Sequence, residues 1–345
     1  MTTHVLAWAG FVGVVLALLA VDLGVFNRRA HVITMKEAGR WSLITLILAM
    51  LFAGLIWSGN IPTDIVGGRA HAVEFVTGYM IELALSVDNI FVFVLIFSYF
   101  CVPPKHQHRV LFWGVLGALI FRGAMIGAGA LLIRRFEWII YVFGAFLVFT
   151  GIRMATQKEL EIEPEANPVL KLIRRVLPVS ADYDGQKFFT REQVNGKTRT
   201  AATPLFVVLA LVETTDLIFA VDSIPAIFAV TRNPFLVFTS NVFAILCLRS
   251  LYFMLAEVID KFHYLKAGLS IVLVFIGAKM LATIFHVHVD TAVSLAIVAT
   301  VLIGSVVLSL LRPLPPEEKR DVLAEPAGDT APPDAVKTGE MKEGR

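Results

Sequence analysis

The sequence has few of the residues that mark soluble, secreted or nucleic-acid-binding proteins. Only 17% of its 345 residues are charged, against about 25% in a typical soluble domain. Two cysteines, Cys101 and Cys247, lie far apart in apolar stretches, so neither a disulfide framework nor a cysteine metal site is expected. A net charge of +2 is too small to indicate a nucleic-acid partner. The 57% share of hydrophobic residues and the mean hydropathy of +0.75 indicate an integral membrane protein.

Long hydrophobic runs predict an all-α polytopic protein whose surroundings are the lipid bilayer. A helix needs roughly 20 apolar residues to cross the hydrocarbon core. We predict nine such helices, at about 5–26, 41–59, 72–101, 110–133, 137–155, 203–230, 235–257, 265–285 and 289–312. The first run has no basic residue before it, and Arg28 and Arg29 follow it, so we expect a retained helix and not a cleaved signal peptide.

Basic residues between the runs predict the orientation in the membrane. They are concentrated in the odd-numbered connections, which hold Arg28, Arg29, Lys36, Arg40, Lys105, Arg109 and Lys261. The positive-inside rule therefore places these connections in the cytoplasm. We expect a multi-pass protein of the cell (inner) membrane, with its N-terminus outside and its C-terminus in the cytoplasm.

The transmembrane domain, residues 1–312, contains one long cytoplasmic loop, residues 156–202. An amphipathic stretch, Pro168–Leu177, is followed by a segment that predicts a small β-hairpin around an Asn195-Gly196 turn. Residues 313–345 are rich in Pro, Glu, Asp and Lys, which predicts a disordered cytoplasmic tail.

An internal repeat relates spans three to five, about 72–155, to spans six to eight, about 203–285. The segment 86–90 (SVDNI) matches 220–224 (AVDSI), 121–123 (FRG) matches 248–250 (LRS), and 147–154 matches 273–280. Each unit has three spans, so the second copy would be inverted relative to the first. Inverted three-plus-three repeats occur in secondary transporters, which bind substrate near the bilayer midplane.

Acidic residues inside two predicted spans are the strongest functional signal. The five are Glu82 and Asp88 in span three, and Glu213, Asp216 and Asp222 in span six. Placing an acid at the centre of a membrane helix costs about 2.5–3.5 kcal/mol, so five cost on the order of 12–17 kcal/mol by simple addition. Arg122 and Arg249 are the expected charge-balancing partners inside the membrane. The remaining negative charge predicts that protons or a cation bind there.

Helical spacing constrains the predicted metal site. Glu82, Ser86 and Asn89 stand at i, i+4 and i+7 on one face, and Asp216 and Ser223 repeat the pattern. Asp88 and Asp222 lie about 100° from that line, so either the polar arc is wide or the helix breaks, as Pro225 suggests. Such hard oxygen donors suit Mg²⁺, Ca²⁺ or Mn²⁺. The predicted metal-binding residues are Glu82, Asp88, Asn89, Glu213, Asp216, Asp222 and Ser223.

Other interpretations of these residues stay open. The acids and arginines are also compatible with a purely structural salt-bridge network. His286, His288 and Asp290 have metal-like spacing at a turn, but such histidines, like His106 and His108, usually face solvent or the interface. Asp22 is expected to meet the membrane interface at the end of span one.

The acidic motifs resemble the TerC family of integral membrane proteins, and in particular its Alx-like branch. The motifs are 82–89 (ELALSVDN) and 213–226 (ETTDLIFAVDSIPA), with 182–189 (DYDGQKFF) and 202–206 (ATPLF) in the loop. The resemblance implies nine spans, an inverted repeat and export of manganese. The family is also named for tellurite resistance, and a plastid relative is linked to membrane protein insertion.

We therefore expect a secondary transporter that exports Mn²⁺, with no permanently bound cofactor and no enzymatic activity. Binding of a cation would displace protons from carboxylates, which provides a route to proton antiport. No phosphate-binding loop of the form G-x-x-x-x-G-K-[ST] is present, so an ATP-driven pump is not expected. The alternative is a non-transporting membrane scaffold, an insertion factor or a tellurite-resistance factor in which the buried acids are structural.

Overall fold

A computed structural model describes residues 2–21, 34–59, 67–136, 138–156, 168–180, 182–194, 197–256, 264–285, 287 and 289–312. Helices make up most of the described chain, with one two-stranded sheet between the sixth and seventh of them. The elements are α1 Thr2–Val21, α2 Met35–Ser58, α3 Gly68–Tyr99, α4 Pro104–Arg135, α5 Ile139–Thr156, α6 Pro168–Val176, β1 Phe189–Val194, β2 Lys197–Ala202, α7 Pro204–Phe228, α8 Pro234–Leu255, α9 Leu265–Ala282 and α10 Thr291–Leu311.

The predicted all-α polytopic membrane fold is confirmed. Within the described ranges, eight helices are long and apolar enough to cross a membrane, and α1 adds a shorter apolar helix, Val5–Ala20. Several helices extend beyond the predicted spans: α2 begins at Met35, where the Thr34 side chain accepts a hydrogen bond from the Glu37 amide, and α4 runs from Pro104 to Arg135. Hydropathy detects the apolar part of a helix, whereas backbone hydrogen bonding continues through polar end turns until a cap stops it.

The described part of the segment between α5 and α7 folds as the loop sequence predicts. Helix α6 covers most of the predicted amphipathic stretch, and its buried Leu170 joins the apolar cluster at the N-terminal end of α7. Strands β1 and β2 pair antiparallel, with Phe189 opposite Ala202 and Val194 opposite Lys197. The predicted hairpin is therefore confirmed, while its turn residues, Asn195 and Gly196, lie outside the described part, as does the tail from 313 onward.

Four helices surround the middle of the bundle. Helix α3 packs on both α7 and α8, and α4 packs on the same two helices. Helix α5 packs along α9, while α2 and α10 add further contacts to α3. Residues on α3, α4, α7 and α8 are therefore the ones that can meet at the centre.

Glycines allow α5 and α9 to approach closely, and their contacts are reciprocal. A Cβ on Gly151 would lie 2.9 Å from the Ser270 carbonyl oxygen and 2.7 Å from a methyl carbon of Val274. A Cβ on Gly277 would lie 2.6 Å from the Gly144 carbonyl oxygen and 2.8 Å from a methyl carbon of Val148. The repeat alignment pairs Gly151 with Gly277, Val148 with Val274 and position 144 with position 270. Swapping the two aligned segments therefore converts the contacts of Gly151 into those of Gly277.

The predicted break at Pro225 does not occur. Helix α7 continues through Pro225 to Phe228. Proline removes the amide that would bond to the Val221 carbonyl, but Pro225 lies in the last turn, and Ala226, Ile227 and Phe228 are packed in a buried apolar cluster. Tertiary packing keeps this turn helical, although Pro225 has no amide to donate to the Val221 carbonyl beside Asp222.

Candidate functional site

A buried arginine joins acids from two helices at the centre of the bundle. The Arg122 side chain of α4 donates to Asp216 of α7 through Nε and Nη2, at 3.0 and 2.8 Å, in a bidentate pair. Its Nη1 forms an ion pair with Glu82 of α3. The relative exposures of Glu82, Arg122 and Asp216 are 0%, 2% and 3%. A pair this deeply buried is strong only because each guanidinium nitrogen faces an oxygen.

The neutral side chains of Asn89 and Ser223 extend this centre. We call the whole group, Glu82, Asn89, Arg122, Asp216 and Ser223, the Arg122 centre. The Asn89 amide nitrogen donates to Asp216 at 3.4 Å, and Arg122 Nη1 lies 3.4 Å from the Ser223 hydroxyl oxygen. The structure therefore brings together five of the nine residues predicted from sequence. They come from α3, α4 and α7, as the packing of those helices requires.

Several oxygen atoms at and beside the Arg122 centre are buried without a hydrogen-bond partner among the described residues. Three lie on one face of α3: Glu82 Oε2, Ser86 Oγ and Asn89 Oδ1. A fourth is Oε2 of Glu213, one turn before Asp216 on α7. A buried polar group without a partner costs about 1–3 kcal/mol. This group of oxygens is therefore unfavourable unless something else satisfies it.

Glu213 lies against a glycine of α4. A Cβ on Gly117 would collide with the Glu213 carboxylate, so a larger residue there would make this flexible side chain move. Gly117 precedes Arg122 by somewhat more than one helical turn on α4. The Glu213 carboxylate is thus placed on the side of the Arg122 centre that faces the hairpin end of the bundle.

The second acid pair of the repeat is arranged differently. Asp222 is half-buried, and the Thr150 hydroxyl of α5 donates to it at 3.4 Å. It therefore faces α5 and not the Arg122 centre. Asp88, its predicted repeat partner, lies within α3, but its side chain is outside the described part of the structure.

Arg249 occupies a different position from Arg122, its counterpart in the repeat. One guanidinium nitrogen of Arg249 lies 3.2 Å from Nε2 of His108, near the start of α4. Arg249 also lines a small cavity of about 10 Å³ together with Asp216. Its charge therefore lies near Asp216 but is directed toward the hairpin end.

The histidine candidates do not form a metal site within the described ranges, where no three His, Cys, Asp or Glu side chains group closely enough to hold a metal ion. His106 is buried and stacked against Tyr183, so the expectation that it faces solvent or the interface is wrong. The loop covers it, a contact that local sequence cannot reveal. Asp290 caps α10 by accepting from the Ala292 amide at 2.8 Å. His286, His288 and Asp22 lie outside the described residues.

Sequence reasoning missed two neutral polar residues. Thr150 provides the partner of Asp222, and Asn241 of α8 is 1% exposed, with neither side-chain polar atom hydrogen-bonded to a described residue. Both are polar residues inside long apolar helices. Their polarity within apolar runs is the signal in the sequence that indicates them.

The loop is fastened to the ends of α3 and α4. The Tyr183 hydroxyl donates to the Phe100 carbonyl at 2.7 Å, and burial raises the pKa of Tyr183 to about 12. The Arg109 guanidinium lies 5.0 Å from the centre of the Phe188 ring, a cation–π contact. Hydrogen bonds from Lys187 and Thr190 lower the pKa of Asp184. The loop thus covers the end of the bundle toward which Ser86, Asn89 and Glu213 extend.

Comparison with known proteins gives the family. The model of the family described as "Integral membrane protein TerC family" matches residues 68–314. The chain is 52% identical over 305 residues to an uncharacterized membrane protein of Myxococcus xanthus, covering 88% of this chain and 92% of that one. It is 48% identical over 309 residues to the Escherichia coli K12 protein named "Putative membrane-bound redox modulator Alx", covering 88% and 94%. No solved structure matches. The chain belongs to the TerC family of integral membrane proteins.

Proposed function

We propose that the protein is a secondary transporter that exports a hard divalent cation, Mn²⁺, from the cytoplasm. The main support is the set of buried oxygens without partners beside the Arg122 centre: Glu82 Oε2, Ser86 Oγ, Asn89 Oδ1 and Glu213 Oε2. A bound cation would satisfy carboxylate, hydroxyl and amide oxygens together, which are ligands that Mn²⁺, Ca²⁺ and Mg²⁺ accept. The choice of manganese rests on the resemblance to the Alx-like branch and not on the ligands.

Charge supports a cation as the substrate. Glu82 and Asp216 pair with Arg122, Glu213 lies against Gly117, and Arg249 lines a small cavity together with Asp216. When ionised, the three carboxylates leave an excess of one negative charge over the two arginines, which a low-dielectric interior does not tolerate unpaired. One divalent cation, or protons on the carboxylates, would remove that excess. A tellurium oxyanion would be repelled by the same charges.

The Arg122 guanidinium itself competes with the substrate. It lies between Glu82 and Asp216 and occupies the position that a cation bridging the two carboxylates would take. In our proposal a cation first binds the oxygens of Ser86, Asn89 and Glu213 on the hairpin side, and then displaces Arg122 from one carboxylate. The arginine would hold the acids together whenever no metal is bound.

Apolar packing would close the route between the site and the hairpin end. Ile90, Phe93, Ile96 and Phe97 of α3 lie in one buried cluster with Leu111, Val208 and Leu248. This cluster follows Asn89 along α3 toward Tyr99. In our proposal, separation of these helices admits the cation. The proposed orientation, with the hairpin in the cytoplasm, makes this the cytoplasmic entrance.

Flux measurements test the proposal. Purified wild type in liposomes should move Mn²⁺, and Glu213→Gln, which removes a charge without touching the Arg122 pairs, should lower the rate to about a tenth, equivalent to about 1.4 kcal/mol of lost binding. Thr214→Val is the matched control, because the Thr214 hydroxyl bonds to the Ala210 carbonyl of its own helix. Asp88→Asn tests the acid whose side chain lies outside the described part.

Each outcome has a defined meaning. Equal flux in wild type and in both acid variants would support transport but show that the cation site lies elsewhere. A Mn²⁺ flux that does not change with a pH gradient of either sign would contradict proton antiport. No flux in wild type would favour the scaffold.

The scaffold alternative has one observation in its favour, the firm attachment of the loop through Tyr183 and Arg109. Shortening the hairpin by removing Asn195 and Gly196 separates the two functions. A carrier should keep its flux after this deletion, whereas a scaffold that binds partners through the hairpin should lose its biological activity. The name of the Escherichia coli relative gives that protein a redox role. Here Cys101 is exposed, Cys247 is buried, and the two are not joined in a disulfide.

A further inference from the structure

A cavity lies at the end of the bundle opposite the hairpin. Its volume is about 290 Å³, and it is lined by Ala130, Ile133, Arg134, Phe228, Arg232 and Pro234. These residues come from the last turns of α4 and α7 and from the short connection into α8. The cavity is remote from the Arg122 centre, which lies three turns earlier on α4.

The cavity combines an apolar floor with a basic rim. Ala130, Ile133 and Phe228 are buried, whereas Arg134 and Arg232 are exposed. No Asp or Glu lines the cavity, and neither arginine forms an ion pair or hydrogen bond with another described residue. The first residue of α8, Pro234, adds the positive end of a helix dipole to the same wall. The chemistry therefore favours an anion attached to an apolar group.

The surroundings match the headgroup region of a bilayer. Phe136 and Trp138 follow α4 directly, are exposed, and lie 6.3 Å apart between ring centres. Aromatic side chains of this kind gather where membrane helices emerge from the hydrocarbon. Arginine is also the residue that best matches a phosphate group, because its planar fork donates two parallel hydrogen bonds.

The distribution of basic residues gives an independent reason. The predicted outer connections contain four basic residues, Arg69, Arg134, Arg135 and Arg232, and two of these four line the cavity. The positive-inside rule disfavours basic residues on that side. Two arginines placed on one cavity against that tendency indicate a ligand.

We propose that this two-arginine pocket binds a phosphate group, with the floor of Ala130, Ile133 and Phe228 receiving the apolar part of an anionic phospholipid. The phosphate contacts Arg134 and Arg232, and the lipid fills the gap between the ends of α4, α7 and α8. The pocket does not depend on the transport function.

Binding to the purified full-length chain in detergent tests the pocket. Three probes are titrated: dioctanoyl phosphatidylglycerol, inorganic phosphate, and dioctanoylglycerol, which lacks the phosphate. Retained ligand is counted by native mass spectrometry, and the thermal unfolding midpoint is followed in parallel. The variants are Arg134→Gln, Arg232→Gln and the double variant. Arg135→Gln is the matched control, because it is the next residue on α4 but does not line the pocket.

The expected result is binding of phosphatidylglycerol, with affinity falling about tenfold for each pocket arginine removed, as for the loss of one charge-assisted hydrogen bond. Arg135→Gln should bind like wild type, and dioctanoylglycerol should not compete. If inorganic phosphate binds as tightly as the lipid, the pocket is a phosphate site whose ligand is free phosphate and not a phospholipid. Equal lipid binding by wild type and the double variant, or no binding of either phosphate probe, would overturn the proposal.

Discussion

The α5–α9 interface and the Arg122 centre follow the internal repeat to different degrees. At the interface, Gly151 meets Ser270 and Val274, while Gly277 meets Gly144 and Val148, so each half makes the same contacts with the other. At the centre, Glu82 and Asp216 correspond to each other, yet both bind Arg122, while Arg249 is directed toward His108. Close packing of small residues can be repeated on both sides of an axis, whereas the space between two carboxylates holds only one guanidinium.

This difference has a consequence for how the protein can move. The reciprocal interface supports our proposal that the two units are inverted copies, and it would persist if the units exchanged conformations. The centre is asymmetric and would change in such an exchange, with Arg249 taking the place of Arg122. The charges, and not the glycines, would then distinguish the two states.

The largest expected effect comes from Arg122→Gln. Removing the guanidinium leaves Glu82 and Asp216 buried without a cation, which should lower the free energy of unfolding by about 3–5 kcal/mol. Thermal or denaturant unfolding in detergent measures this loss. Arg135→Gln, on the exposed end of α4, is the control and should change little.

A rescue experiment separates charge from packing at this centre. Combining Arg122→Gln with Glu82→Gln and Asp216→Asn removes all three charges, so stability should return in part. If the triple variant is no more stable than Arg122→Gln alone, the centre is held by shape and not by charge. If Arg249→Gln costs as much as Arg122→Gln, the asymmetry between the arginines is refuted.

A smaller effect should come from the glycine interface. Gly151→Ala and Gly277→Ala place a methyl group against backbone atoms less than 3 Å away, and each should cost about 1–3 kcal/mol of unfolding free energy. Reciprocal contacts predict similar values for the two. Gly127→Ala is the control, with no atom within 4 Å of the new Cβ, and helix propensity alone should stabilise it by up to about 1 kcal/mol. Clearly unequal costs for the two interface glycines would contradict the reciprocity.

The smallest effect should come from Tyr183→Phe, which removes a hydrogen bond outside both regions. The loss of the bond to the Phe100 carbonyl should cost about 0.5–1.5 kcal/mol and increase amide exchange around Cys101. Because burial raises the pKa of Tyr183 to about 12, its contribution is fully present below about pH 10, the ordinary value for tyrosine, and is lost as pH rises through about 12. A wild-type loop that loosens well below about pH 10 would contradict this assignment.

Much of the fold was predictable because each membrane helix corresponds to one continuous run of apolar residues in the sequence. Long apolar runs predict helices whatever their neighbours are, and Asn195-Gly196 predicts a hairpin whose strands the structure confirms. The helix ends were less predictable, since α2 and α4 continue into polar turns. The break at Pro225 was wrong because packing of the last turn of α7 is a tertiary effect.

The sequence by itself determined that this is a polytopic helical membrane protein with acids and arginines inside its helices, because those are properties of single segments. Only the tertiary structure decided which charges meet. It brings Arg122 to Glu82 and Asp216, directs Asp222 to Thr150 on α5, and places Arg249 beside His108. The reason is that a pairing across 94 residues of chain, as between Arg122 and Asp216, depends on how α4 and α7 pack, and helical periodicity gives the face of a residue but not its partner.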